Sequence, residues 1–226
     1  KLLFEKSINL DTNLIQPRTL LGDIYFNWGQ YDKSLEVHEN NLKISKYSND
    51  SKNIANSLSS IAGVYFTKGE YNQSLKYNLQ ALQIRENINN KKGISRSYNS
   101  IAAIHDVLGS HKKALSHYQI SLKTAEEINY KKSIIRAKIN ISNLYNTTGE
   151  FEKALDTNKL CIMLCKKSNN YPLLAYSYNL AGVIYNNLSD YDESIKNLKK
   201  SLKIKRELNE PEGIASALKS IGVVYY

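Results

Sequence analysis

Residues 61–71 read Ile61-Ala62-Gly63-Val64-Tyr65-Phe66-Thr67-Lys68-Gly69-Glu70-Tyr71, and the skeleton of this stretch recurs along the whole chain. That skeleton is an aliphatic residue followed by a small one, an aromatic three residues later, a glycine four beyond it, and a second aromatic. Upstream it reads Leu21-Gly22, Tyr25, Gly29, Tyr31. Downstream it reads Ile101-Ala102, His105, Gly109, His111; then Ile141-Ser142, Tyr145, Gly149, Phe151; then Ala181-Gly182, Tyr185, Ser189, Tyr191; and it opens again as Ile221-Gly222, Tyr225. The leading positions 21, 61, 101, 141, 181 and 221 are each 40 apart, with no insertion or deletion. A fixed period of this size marks a repeat architecture, in which each unit buries its apolar face only against its neighbours. Function in such a chain belongs to an extended surface.

Working outward from residues 61–71, Ile54, Leu58, Ile61, Ala62 and Tyr65 follow the spacing of an amphipathic helix that ends at Gly69. Gly69 suits the left-handed position just past a helix C-terminus. Glu70 or Asn72 is then placed to cap a second helix, with apolar face Leu75, Leu79, Leu82 and Ile84, running to about Ile88. The polar stretch Asn89-Asn90-Lys91-Lys92-Gly93 reads as the next turn, so that the following helix begins near Ile94. Each unit is therefore a hairpin of a helix A and a helix B. Small residues share one slot of helix A (Ala62, Ala102, Ser142, Gly182, Gly222) and one of helix B (Ser74, Ala114, Ala154, Ser194), which lets the two helices approach closely. The tyrosines at 25, 65, 145, 185 and 225 are expected to fill the larger gap between neighbouring units.

The fold class predicted is all-α, a right-handed α-solenoid of antiparallel helix hairpins, forming one elongated domain over residues 1–226. Its units run approximately 1–10 (partial), 14–50, 52–90, 93–130, 133–170, 173–210 and 213–226 (partial). Because Lys1 falls in mid-unit and the chain stops inside a sixth helix A, both ends read as cut edges, and a longer protein is expected. No run approaches the ~18–20 continuous apolar residues a spanning helix needs. Cys161 and Cys165 lie four apart on one helix face, which disfavours a disulfide between them, and two thiols do not make a zinc site. They read as core thiols. The chain shows no Gly-rich phosphate loop, nucleophile elbow, metal-ligand cluster or isolated acidic pair, so neither an enzyme nor a cofactor site is expected.

This hairpin pattern resembles the tetratricopeptide repeat, whose Leu-Gly, Tyr and Ala signature it matches over nearly all of its length. The 40-residue period, and phrases such as Lys92-Gly93-Ile94 and Glu212-Gly213-Ile214-Ala215, are similar to the long-helix branch found in kinesin light chains, Leu-Gly-Asn polarity adaptors and bacterial signalling proteins. Two features of the standard subclass are missing: its early Trp, replaced by Leu58, Tyr98 and Tyr178, and the Pro that ends helix B.

The resemblance implies that helix A lines a concave wall. Carried over, it selects Asn56 and Phe66; Arg96 and Asn99; Arg136, Asn140 and Asn143; and Tyr176, Asn179 and Asn186 as the peptide-binding face. A carboxamide both donates and accepts, so a ladder of Asn suits the backbone of an extended peptide whatever its side chains. Asn140 and Asn143, at i and i+3, share a helix face. Arg96 and Arg136 have the fork geometry for an acidic side chain. The positions that a chaperone-tail clamp fills with Lys hold Thr19, Ser59, Asn99, Ile139 and Asn179 here, which argues against such a clamp.

Lys and Arg number 31 against 21 Asp and Glu, a net charge of +10 that invites a polyanion reading. The lysines, however, gather on helix B (Lys33, Lys76, Lys112, Lys113, Lys153, Lys196, Lys199, Lys200 and Lys203), the outward layer of the family, which argues against nucleic acid. His105 and His111 replace two aromatics together and read as flat-ring substitutions, with a titrating switch as the alternative. The expected partner is a protein or peptide, with self-association through a terminal helix pair the other possibility. The expected setting is cytoplasmic signalling, or alternatively an extracytoplasmic sensor segment.

Overall fold

Three consecutive residues separate each described helix from the next, and the middle one always has a positive φ. It is Gly29, Gly69, Gly109, Gly149 or Ser189 after the A helices, and Asn49, Asn89, Asn129, Asn169 or Asn209 after the B helices. Glycine lacks the Cβ that penalises this conformation, and asparagine tolerates it better than other residues. At Gly69 the hydrogen bonds form a Schellman motif: Glu70 N–H donates to Tyr65 O at 2.9 Å and Gly69 N–H to Phe66 O at 3.0 Å. Asn89 and Asn90 repeat it on Glu86 O and Arg85 O.

The computed structural model describes residues 15–226, and among them the secondary structure is entirely helical. The helices are α1 (Ile15–Asn27), α2 (Tyr31–Tyr47), α3 (Ser51–Thr67), α4 (Tyr71–Asn87), α5 (Lys91–Val107), α6 (His111–Glu127), α7 (Lys131–Thr147), α8 (Phe151–Lys167), α9 (Tyr171–Asn187), α10 (Tyr191–Glu207) and α11 (Pro211–Tyr225). Those from α2 to α10 are all 17 residues long. Starts at 31, 51, 71 and onward are 20 apart, so the 40-residue repeat is two equal half-beats, one ending in Gly and one in Asn. The expected partial unit at 1–10 lies outside the described residues.

Two local expectations need correction. The stretch Asn89–Gly93 is not all turn: α5 starts at Lys91, and Gly93 sits buried in its first helical turn. The start is set by Asn90, whose Oδ1 accepts from Gly93 N–H at 3.0 Å, an N-cap repeated by Asp50, Asn170 and Asp190. Glu70 occupies the N-cap of α4 without a side-chain cap bond, and Asn72 lies inside the helix.

Packing divides the chain into two compact bodies, residues up to His117 and residues from Tyr118, with the division inside α6. In the first body α1 to α5 pack in sequence, and α1 also touches α3. In the second, α7 to α11 pack in sequence, and α7 touches α9 and α9 touches α11. Within each body the odd-numbered helices thus lie side by side as an A layer, with the even-numbered ones as a B layer. The close approach predicted at the small slots is present. Ser74 Oγ donates to Ala62 O at 2.8 Å, Ser142 Oγ to Ala154 O at 2.7 Å, and Ser194 Oγ to Gly182 O at 2.7 Å.

Where helix A carries glycine in these contacts, its partner is large. A Cβ on Gly22 would fall 2.5 Å from the His38 ring, and one on Gly182 2.5 Å from Leu198 Cγ. Clusters built on Ala55, Leu58 and Ala81 in the first body, and on Ile135, Ile139, Cys161 and Ile184 in the second, complete the core. Burial pushes the Cys161 thiol up to about 12.

The aromatic slot also has contacts inside its own unit. Tyr65 stacks on Tyr77 of its own hairpin, 5.5 Å away and 6° from parallel. His105 takes the same place and stacks on His117 at 5.2 Å, so this histidine substitutes ring for ring. Lys33 and Lys153 lie over Tyr25 and Tyr145 at 5.6 and 5.8 Å. In these four units the ring is covered from helix B of its own hairpin.

Candidate functional site

The A helices bury one stripe and leave another open. On α3, Ala55, Leu58, Ile61 and Ala62 are buried, whereas Asn56 is exposed and Phe66 half-buried. On α5, Ser97, Ile101 and Ala102 are buried between exposed Arg96 and half-buried Asn99. On α7, Arg136 is exposed and Asn140 and Asn143 half-buried. On α9, Tyr176 is exposed, with Asn179 and Asn186 half-buried. All ten predicted wall residues thus lie on A helices and outside the buried class.

Within the first body, two cavities collect them. One, of about 730 Å³, is lined by residues of α1, α3 and α5 and brings Asn56 together with Arg96. The other, of about 220 Å³, brings Phe66 together with Asn99 above Ser74 and Asn78 of α4. Phe66 is held in place by an edge-on contact with Tyr71 at 5.5 Å. In the second body, Asn187 Nδ2 donates to Asn146 Oδ1 at 2.8 Å, so amides of neighbouring A helices do reach one another. The Oδ1 of Asn179 is shut off from solvent with no hydrogen-bond partner among the described residues. An unpaired buried acceptor costs about 1–3 kcal/mol, and a donor brought by a ligand would remove that penalty.

Sequence reasoning missed Arg85. It sits on α4, in the B layer, yet is 2% exposed and reaches inward. Its guanidinium donates to Ser97 Oγ at 2.6 Å, to Ala55 O at 3.4 Å and to Asn56 Oδ1 at 3.3 Å. Burial, with Arg96 adding like-charge repulsion, pulls its pKa down to about 10, so it remains charged at neutral pH. A sequence signal was available: the same slot holds Ser45, Ala125 and Cys165 in other units, and a long cation opposite Gly93 stands out against them.

The outward lysines fall where predicted. Lys33, Lys76, Lys112, Lys113, Lys153, Lys196, Lys199, Lys200 and Lys203 are all exposed, and Lys153 and Lys196 pair with Glu150 and Glu193 of their own turns. No helix among the described residues is long and apolar enough to cross a membrane. No group of three His, Cys, Asp or Glu among them converges as a metal site.

Comparison with known proteins agrees with this geometry. A sequence model of the tetratricopeptide repeat matches residues 15–87, and a second matches residues 175–208. No curated protein matches by sequence. Among solved structures, aspartyl phosphate phosphatase F from Bacillus subtilis is similar over 97% of this chain and 59% of its own, with a TM-score of 0.80 at 16% identity. A signal transduction ATPase with numerous domains and a tetratricopeptide repeat sensor, from Pyrococcus horikoshii, is similar over 98% of this chain and 36% of its own, with a TM-score of 0.74 at 19% identity. A Rap protein complexed with competence and sporulation factor is similar over 93% of this chain and 63% of its own, with a TM-score of 0.68 at 14% identity. This chain therefore spans less than two thirds of each. At such identities the likeness speaks for fold alone. Residues 15–87 and 175–208 are thus tetratricopeptide repeats by sequence, and the same helix hairpins with small-residue contacts recur along the described residues.

Proposed function

We propose that the open stripe of the A helices holds an extended segment of a partner protein, and that this chain is the docking or sensing part of a larger signalling protein. The observation that carries the reading is the separation of two residue sets on one helix layer. The aliphatic–small pairs that recur every 40 residues from Leu21-Gly22 to Ala181-Gly182 are buried in packing, while Asn56, Asn99, Asn140, Asn143, Asn179 and Asn186 stay accessible. Amides along such a face match both polar groups of an extended backbone. The repeat fold is a scaffold for protein–protein interaction, and the similar Rap protein was solved with a factor bound. Much of the basic charge lies on the B helices, while Arg96 and Arg136 are the cations among the wall residues.

Asn140 and Asn143 are the residues to test. Each hydrogen bond lost is worth roughly 0.5–1.5 kcal/mol, so removing both amides weakens binding about 5- to 150-fold. Partner recovery on the wild-type chain is to be compared with recovery on Asn140→Ala plus Asn143→Ala, with thermal unfolding confirming that both are folded. Equal recovery from the two would remove these residues from the site. Recovery that instead vanishes steeply with salt, irrespective of partner sequence, would replace the peptide reading with a polyanion one.

A further inference from the structure

Arg85 is a buried cation that meets no carboxylate among the described residues. Ser97 Oγ, Ala55 O and Asn56 Oδ1 accept its hydrogen bonds, none of them a carboxylate, and its Nε has no partner among the described residues. The charged group that acts on it is another cation, Arg96. Desolvated charges are ordinarily paired.

The chain shows what the paired alternative looks like. Lys205, in the equivalent slot of α10, is also buried, also faces a glycine (Gly213), and has Glu210 beside it as a compensating charge. Ser45, Ala125 and Cys165 in the remaining units show that the fold does not require a cation there. Gly93 makes the room for Arg85, since a Cβ at that position would fall 2.6 Å from Arg85 Cδ.

Asn56, which accepts from the Arg85 guanidinium, lines the large cavity of the first body. Because Arg85 donates to Asn56 Oδ1, the Asn56 carbonyl is occupied and its Nδ2 donors are the part left for a ligand. Arg96, Lys52 and Ser60 line the same cavity and add further donors. Two carboxylates line it as well. Both oxygens of Asp50 are engaged by Asn53, at 3.0 and 2.8 Å, and Asp23 stands on α1 near His38, 3.8 Å away. Neither is an ion-pair partner of Arg85 or Arg96. What remains around Asn56 and Arg96 is an array of donors with positive charge beneath it.

We infer that this cavity is an acidic-residue subsite: an Asp or Glu side chain of the bound segment sits against Arg96 and the Asn56 amide, above the Arg85 guanidinium. The inference rests on the groove reading and names one chemical requirement of its occupant. Charge-assisted bonds to a guanidinium are about twice as strong as neutral ones, so this residue anchors the register of an otherwise sequence-tolerant backbone grip.

The test is selection of random displayed peptides on the intact chain, followed by fluorescence anisotropy with the labelled synthetic peptides that emerge. The expected result is an Asp or Glu at one fixed place in the enriched set. Changing that residue to its amide, or Arg96→Gln in the protein, is expected to weaken binding tenfold or more. Making both changes is expected to weaken it little beyond either one. Arg85→Met is expected to weaken acidic peptides and not their amide versions. If that variant fails to fold, as its urea transition would show, the Arg96 cycle stands without it. Enriched peptides lacking a fixed acidic residue, or acidic peptides bound equally by Arg96→Gln, would overturn the subsite and leave the groove. Loss of binding on C-terminal amidation alone would overturn it too, placing a chain terminus where we place a side chain. Failure to enrich any peptide would remove the groove reading and the subsite with it.

Discussion

Two glycines in adjacent A helices should respond in opposite ways to the same substitution. Gly63 lies mid-helix on α3, exposed, with nothing within 4 Å of the place a Cβ would occupy. Alanine there gains helix propensity and meets no obstacle, so Gly63→Ala is expected to stabilise by about 0.5–1 kcal/mol. At Gly93 the same methyl falls 2.6 Å from Arg85 Cδ, 2.8 Å from Arg85 Nε and 2.9 Å from Asn90 Nδ2. The first two are mid-chain atoms of a side chain tied down by three hydrogen bonds, and the third belongs to the N-cap. Overpacking of this kind costs about 1–3 kcal/mol, against a propensity gain of up to ~1 kcal/mol. Gly93→Ala is therefore expected to destabilise by about 1–2 kcal/mol.

Urea unfolding followed by far-UV circular dichroism measures both changes, with equal slopes as the check that the same transition is compared. Arg85→Ala removes the obstacle, so Gly93→Ala in that background should lose most of its penalty, a coupling readable from the double-mutant cycle. Stabilisation by Gly93→Ala alone would refute the close packing of Arg85 on α5. So would strict additivity of the two changes.

Other expectations follow from single residues. Ser189 holds the left-handed position that glycine fills in the other A-helix turns, so Ser189→Gly should raise stability by about 0.5–1 kcal/mol in the same urea assay; a loss would count against the turn geometry. Burial, opposed more weakly by Asp23, holds the His38 pKa below its ordinary 6.5, so the folded state keeps the ring neutral where the unfolded state takes up a proton. Stability is then fully present above the unfolded value and falls as pH drops through 6.5 towards the folded one. His38→Gln should flatten that part of a stability–pH curve, and an unchanged slope would contradict the assignment. With its thiol pushed up to about 12, Cys161 should be inert to a thiol-reactive dye in the native chain and react once urea unfolds it.

Much of the scaffold was legible because packing repeats. The aliphatic, small and aromatic slots of Ile61, Ala62 and Tyr65 recur in every unit since each helix meets the same neighbours, and the period gives away hairpins and small slots together. Three features were hidden by their chemistry. Asn89 and its equivalents read as ordinary polar turn residues, because Asn is abundant throughout and its tolerance of positive φ leaves no compositional mark. Gly93 looked like a helix breaker, whereas its role is to admit Arg85 from another helix, a contact no local pattern records. Tyr65 carried a clear packing signal but no direction, and only the structure shows it stacked within its own hairpin. Wall residues such as Asn140 and Asn143 were reached through family resemblance. What periodicity itself supplied was that they are not needed for packing.

The central claim is that the A layer, and not the basic B layer, meets the partner. It is tested most directly by placing a photo-reactive amino acid singly at Asn143 or Tyr176 on A helices, and at Lys113 or Lys199 on B helices, then illuminating each chain with a labelled peptide from the selection. Adducts confined to the A-helix positions are the predicted result. Adducts at the B-helix positions, or at both layers alike, would contradict it.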